Sequence, residues 1–124
     1  MDKKKQILVI DDDGQIQELL QMFLENNGCD VATASTGEKG LAKARKSNFD
    51  LVLLDIILPD SDGISVLKNL KKILPNASVL MITGGNDTII AENCLRDGAV
   101  DYITKPFDFE YLRTTVLANL LGAS

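Results

Sequence analysis

Short apolar runs alternate with longer stretches of helical spacing along the whole chain. The apolar runs are Ile7–Ile10, Cys29–Ala34, Leu51–Leu54, Val79–Ile82 and Ala99–Ile103. The first, third and fourth are continuous rather than alternating, and rich in Val, Ile and Leu. That pattern suits strands covered on both faces, as in a parallel sheet. The second sets Val31 and Thr33 against Ala32 and Ala34, and predicts an edge strand.

The intervening segments predict helices. Ile16, Leu19, Leu20, Phe23 and Leu24 recur with a 3.6-residue period, and Gly28 supplies a stop. Thr36 is a natural N-cap for a second helix with a weak apolar face of Leu41, Ala42 and Ala44. Ile64, Leu67, Leu70 and Leu74 mark a third helix, ended by Pro75. Asn86 can cap a fourth that contains Ile90, Ala91, Cys94 and Leu95, with Gly98 beyond it. Asp108 can cap a fifth, with Leu112, Val116 and Leu120 on one side. Strand–helix alternation of this kind predicts a parallel sheet with helices on both faces. In such sheets ligands bind beyond the carboxyl ends of the strands.

Composition narrows the class without changing the fold. The chain has 124 residues, so residues 1–124 are expected to form one domain. Hydrophobic residues make up 45% and charged residues 25%, as in ordinary globular proteins. No apolar run approaches the roughly 18 residues of a membrane span. The basic start, Lys3-Lys4-Lys5, precedes an apolar run that ends at Asp11, too short for a secretory signal. A cytoplasmic protein is expected. The net charge of −5 argues against direct nucleic-acid binding by this domain. Cys29 and Cys94 are expected to be reduced, partly buried small residues. The chain has no histidine, which removes Ser-His-Asp and Cys-His catalysis and histidine-ligated zinc.

Candidate chemistry gathers at the predicted strand ends. The first strand runs into Asp11-Asp12-Asp13, the third into Asp55, the fourth into Thr83, and the fifth through Thr104 into Lys105-Pro106. In a parallel sheet these groups share one edge. Carboxylates so placed repel one another, and a hard divalent cation resolves the conflict. Mg²⁺ takes oxygen ligands and is commonly held by one or two carboxylates plus a phosphate. Asp11 and Asp12 can supply the acidic pair and Asp55 a third carboxylate. With Lys105 and Mg²⁺ the site is close to neutral, so it can accept a phosphoryl group on Asp55. Lys105 and Thr83 would then neutralise phosphoryl oxygens. The Lys105-Pro106 bond is either trans at a strand end or cis, turning the lysine back over the edge.

The ordered set of these segments resembles the receiver domains of two-component response regulators. The resemblance rests on Ile7-Leu8-Val9-Ile10-Asp11-Asp12, Asp55-Ile56-Ile57-Leu58-Pro59-Asp60-Ser61-Asp62-Gly63, Met81-Ile82-Thr83-Gly84, and Gly98 through Phe107 with its Tyr102 and Lys105-Pro106. It implies a flavodoxin-like (βα)5 doubly wound α/β sandwich with strand order 2-1-3-4-5. Asp55 matches the phosphoacceptor, Asp11 and Asp12 the Mg²⁺-binding pair, and Ile57 the position whose backbone carbonyl completes the metal site. Thr83 and Lys105 match the hydroxyl and lysine that contact the phosphoryl group. Lys105-Pro106 matches a cis peptide, and Tyr102 the aromatic position that turns inward as the threonine moves. Leu58 stands where the family often has methionine, an apolar swap of similar size.

The resemblance further implies a switch that takes its phosphoryl group from a sensor histidine kinase or a histidine phosphotransfer protein. The domain would catalyse its own phosphorylation and slow dephosphorylation. Its fourth helix, fifth strand and fifth helix would then meet an output domain or a second copy. The alternative is a receiver-like interaction module that is never phosphorylated. Loss of the acidic pair, acceptor or lysine would mark it, and all are present. An aspartate-nucleophile phosphatase needs a carboxylate where Ile57 stands. A flavin carrier would have its phosphate repelled by Asp11-Asp12-Asp13.

Overall fold

The computed structural model describes residues 4–85 and 87–121. Its elements alternate along the chain: β1 (Gln6–Ile10), α1 (Gly14–Asn26), β2 (Asp30–Ala34), α2 (Gly37–Lys46), β3 (Leu51–Asp55), α3 (Gly63–Ile73), β4 (Ser78–Thr83), α4 (Thr88–Arg96), β5 (Asp101–Thr104) and α5 (Phe109–Leu121). The five strands form one parallel sheet in the order β2-β1-β3-β4-β5. This is the flavodoxin-like order the sequence implied, and β2 lies at an edge.

The continuous apolar runs divide between two layers because successive side chains on a strand point to opposite faces. Ile7, Val9, Leu51, Leu53, Leu80 and Ile82 face α1 and α5, where they meet Leu20, Leu24, Leu112 and Val116. Leu8, Ile10, Val52, Leu54, Val79 and Met81 face α2, α3 and α4, where they meet Ala44, Val66, Leu67, Leu70 and Ala91. Each buried leucine contributes about 1.5–3 kcal/mol relative to exposure. The cysteines are divided too: Cys29 belongs to the first layer and Cys94 to the second, both reduced and buried.

The helix ends follow local chemistry. Thr36 Oγ1 accepts from the Lys39 amide at 3.0 Å, and Asp108 accepts from the Tyr111 amide at 3.2 Å. Gly28 and Gly98 adopt positive φ, +86° and +109°, just past α1 and α4, a conformation that favours glycine. The third helix stops at Ile73, ahead of Pro75. Asn86, the expected cap of the fourth, lies outside the described residues.

Two strands begin later than the apolar runs suggest. Cys29 donates its amide to Leu24 O, and Ala99 donates to Cys94 O. Both residues therefore close the preceding helix before the chain joins the sheet.

Candidate functional site

Parallel strands deliver their last residues to one edge, and each polar group there is fixed by a local turn. Asp11 follows β1 directly and donates its amide to Ala34 O at 3.1 Å, extending the β1–β2 ladder. Its Oδ1 accepts from the Asp13 amide at 2.9 Å, which turns the chain into α1. Gln17 donates its side-chain amide to Asp11 O at 2.5 Å, bracing this turn from within the helix. Asp13 is directed elsewhere: its carboxylate caps α1 by accepting from Gln15 N at 2.9 Å and Ile16 N at 3.4 Å. Asp12, between them, is exposed.

Asp55 ends β3, and its Oδ1 accepts from the Ile57 amide at 3.1 Å. Thr83 ends β4 fully buried, and its Oγ1 accepts from Gly85 N at 3.4 Å. Lys105 donates its backbone amide to Thr83 O at 2.8 Å. The Lys105–Pro106 peptide is cis. The Lys105 ammonium lies between two strand ends, 3.0 Å from Asp11 Oδ2 and 3.2 Å from Asp55 Oδ2. Asp11, Asp12 and Asp55 each offer an oxygen within 4.8 Å of the other two. A depression of about 310 Å³ opens beside them, lined in part by Asp12, Asp55, Ile57, Gly84 and Lys105.

The electrostatics follow from burial and crowding. Burial pushes the Asp55 carboxyl above the usual aspartate range, and the Asp11 charge pushes the same way; the Ile57 amide and Lys105 oppose them without cancelling them. Burial also pulls the Lys105 ammonium down, but Asp11 and Asp55 together outweigh it and hold its pKa above the ordinary lysine value. Asp11 Oδ2 is buried, with the lysine charge nearby but no hydrogen bond of good geometry. Three clustered carboxylates against one lysine leave an excess of negative oxygen, which fits a hard divalent cation that takes oxygen ligands.

Two other residues singled out in the sequence sit differently. The Ile57 side chain is 62% exposed, and it is the backbone amide that contacts Asp55. Tyr102 lies away from the carboxylates, half-buried on β5 against the α4 layer. Asp60 and Asp62 stand in the motif after Asp55, but the sequence reading gave neither a role. Asp62 caps α3 by accepting from Ser65 N at 2.8 Å, and Asp62-Gly63-Ile64-Ser65 carries the ordinary N-cap signal. Asp60 accepts from the amides of Gly37 at 2.9 Å and Glu38 at 3.0 Å, a long-range contact with no local signal.

Comparison with known proteins agrees with this architecture. A family model described as the response regulator receiver domain matches residues 7–117. The chain is 38% identical over 112 residues to the probable C4-dicarboxylate response regulator DctR of Halalkalibacterium halodurans, covering 89% of this chain and 49% of that protein. It is 43% identical over 116 residues to the alkaline phosphatase synthesis transcriptional regulatory protein PhoP of Bacillus subtilis, covering 94% and 48%. The chain thus spans about half the length of these relatives, and a quarter of the transcriptional regulatory protein ZraR of Escherichia coli. Among solved structures, a CheY-like response regulator receiver domain protein from Methanospirillum hungatei JF-1 superposes with a TM-score of 0.88 at 33% identity, covering 98% of this chain and 97% of that one. NtrX from Brucella abortus superposes at 0.92 with 32% identity, covering 98% of this chain and 28% of that one.

Proposed function

The chain belongs to the response regulator receiver domain family, and we propose that it is a phosphorylation-dependent signalling switch with Asp55 as the phosphoacceptor. The observation that carries this reading is the lysine bridge between Asp11 and Asp55, in which the buried Asp11 Oδ2 has only the ammonium charge, 3.0 Å away, to offset it among the described residues. One cation already offsets part of the carboxylate charge at the acceptor, and the oxygen donors remaining suit a second.

Asp11, Asp12, Asp55 and the Ile57 backbone carbonyl would hold Mg²⁺. When bound, Mg²⁺ supplies charge neutralisation for the phosphoryl oxygens. The donor is a phosphohistidine on a sensor kinase or phosphotransfer protein. An ionised Asp55 oxygen attacks phosphorus; the P–O bond forms, the P–N bond breaks, and the electron pair stays with the imidazole, which takes up a proton. Lys105 favours the ionised form of Asp55 beforehand and offsets phosphoryl charge afterwards. Thr83 donates its hydroxyl to a phosphoryl oxygen. Later attack by water cleaves the same bond slowly and resets the domain.

Movement of Thr83 towards the phosphate frees space that Tyr102 fills from β5. The surface built by α4, β5 and α5 changes with it, biasing a two-state equilibrium. Leu95 on α4, Val100 just ahead of β5 and Tyr111 on α5 are exposed, and an output domain or second copy would read them there. Reduced Cys29 and Cys94 suit a cytoplasmic setting. No described helix is long and apolar enough to cross a membrane.

The test is incubation with Mg²⁺ and acetyl phosphate, followed by intact-mass measurement. Wild type should gain one phosphoryl group that hydroxylamine removes, and Asp55→Asn should gain none. A wild-type chain that gains nothing, or an Asp55→Asn chain labelled equally well, would overturn the assignment and favour an unphosphorylated interaction module.

A further inference from the structure

We propose that Asp60 is a positioning residue for the metal site: it fastens the loop after Asp55 to α2, and so sets where the Ile57 backbone meets the acceptor carboxylate. The inference rests on the reading of Asp55, Asp11 and Asp12 as a Mg²⁺-dependent phosphoacceptor site. It assigns a role to a side chain that lies outside that cluster.

The loop from Ile56 to Asp62 is closed at its base. Gly63 donates its amide to Ile56 O at 2.8 Å, and Ile57 pairs with Asp62 in an antiparallel bridge. Inside this base, the Ile57 amide holds Asp55 Oδ1. The far end of the loop is held by α2. Both oxygens of Asp60 are used, one on the Gly37 amide and one on the Glu38 amide. These are first-turn amides, which have no partner within their own helix. Ser61 lies so close that a Cβ on Gly37 would stand 2.3 Å from its Oγ.

The same helix also rests on the strand that leads into Asp11. A Cβ on Gly40 would stand 2.4 Å from Ile10 Cδ1, so α2 packs its backbone directly against the residue preceding Asp11. One helix therefore meets both segments that carry the acidic cluster, β1 at Ile10 through Gly40 and the loop after β3 at Asp60 and Ser61 through Gly37. Asp60 is the charged, two-pronged part of that linkage. If Asp60 served only as a helix cap, it would act on α2 as Thr36 does, and the metal site would be indifferent to which cap was removed.

Comparison of Asp60→Ala with Thr36→Ala separates these roles. Mg²⁺ affinity is measured by calorimetry at roughly 0.5 M salt, where the Debye length is only a few ångströms and a lost surface charge counts for little. Exchange of the Ile57 amide hydrogen is measured by NMR in EDTA, with no metal present. Groups that orient metal ligands typically change affinity by ~10–100-fold. Asp60 acts one layer further out, so Asp60→Ala should weaken Mg²⁺ binding about three- to tenfold and speed Ile57 exchange. Thr36→Ala should leave the Mg²⁺ dissociation constant unchanged. A wild-type dissociation constant in Asp60→Ala, weakened binding without faster Ile57 exchange, or equal weakening in Thr36→Ala would each overturn the proposal. Wild type that binds no Mg²⁺ at all would instead overturn the phosphoacceptor reading beneath it.

Discussion

Tyr111 donates its phenolic hydroxyl to Asp101 Oδ2 at 2.7 Å, tying the first turn of α5 to the first residue of β5. This bond and its charge raise the Tyr111 pKa above the ordinary tyrosine value. The folded state thus favours the protonated phenol. Its contribution is complete below the unfolded pKa of about 10 and is lost as pH rises through the higher folded value. Tyr111→Phe should cost about 0.5–1 kcal/mol at neutral pH, the low end for a hydrogen bond because the group is exposed. Urea unfolding should show that difference shrinking in strong alkali.

Asp55 has the opposite sign from the usual paired aspartate. Its folded pKa is raised, chiefly by burial, so holding it ionised at neutral pH works against folding. Without metal, Asp55→Asn should melt above wild type at pH 7, and the gap should narrow as pH falls through the folded Asp55 pKa. Mg²⁺ should reverse the order. At a hundredfold excess over its dissociation constant, wild type should gain ~2.7 kcal/mol and Asp55→Asn less. Melting scans in EDTA and in Mg²⁺ check both parts.

Gly63 has no room for a side chain. A Cβ there would stand 2.7 Å from Ile56 Cα and 2.8 Å from Ile56 O, and backbone atoms cannot swing aside. Gly63→Ala should lower stability by about 1–3 kcal/mol, the usual cost of overpacking. Its urea midpoint should fall while the slope holds.

Asp60 and Asp62 give the acid limb a defined direction. Backbone amides of Glu38 and Gly37 hold Asp60 below the usual carboxylate range, and the Ser65 amide and hydroxyl do the same for Asp62. Their contributions are complete above the unfolded aspartate pKa of about 3.9 and are lost as pH falls through the lower folded values. The stability difference between wild type and Asp60→Asn should therefore stay constant near neutral pH. It should collapse below pH ~3.9, which denaturation at several acid pH values would reveal.

The strands were legible because burial on both faces leaves few choices of residue. Ile7–Ile10 and Leu51–Leu54 read as buried strands from their composition alone. Edge placement of β2 was legible for the opposite reason, since Val31 and Thr33 alternate with smaller residues. The acidic run was less transparent. Asp11, Asp12 and Asp13 are the same residue, and only the backbone turn at Asp13 sends one inward, one to solvent and one onto a helix end. The cap at Asp62 was present in the local pattern and went unread. Asp60 was not readable at all, because its partners lie 22 and 23 positions away and only the packing of α2 brings them near.

The placement of the two thiols has a practical consequence for following this protein as it opens. Cys29 and Cys94 lie on opposite sides of the sheet, each shielded from solvent. A thiol reagent reaches either one only after its own layer has parted. The chain thus carries two native chemical clocks, one timing the α1–α5 side and the other the α4 side. Labelling them with and without Mg²⁺ would report which half of the molecule loosens first.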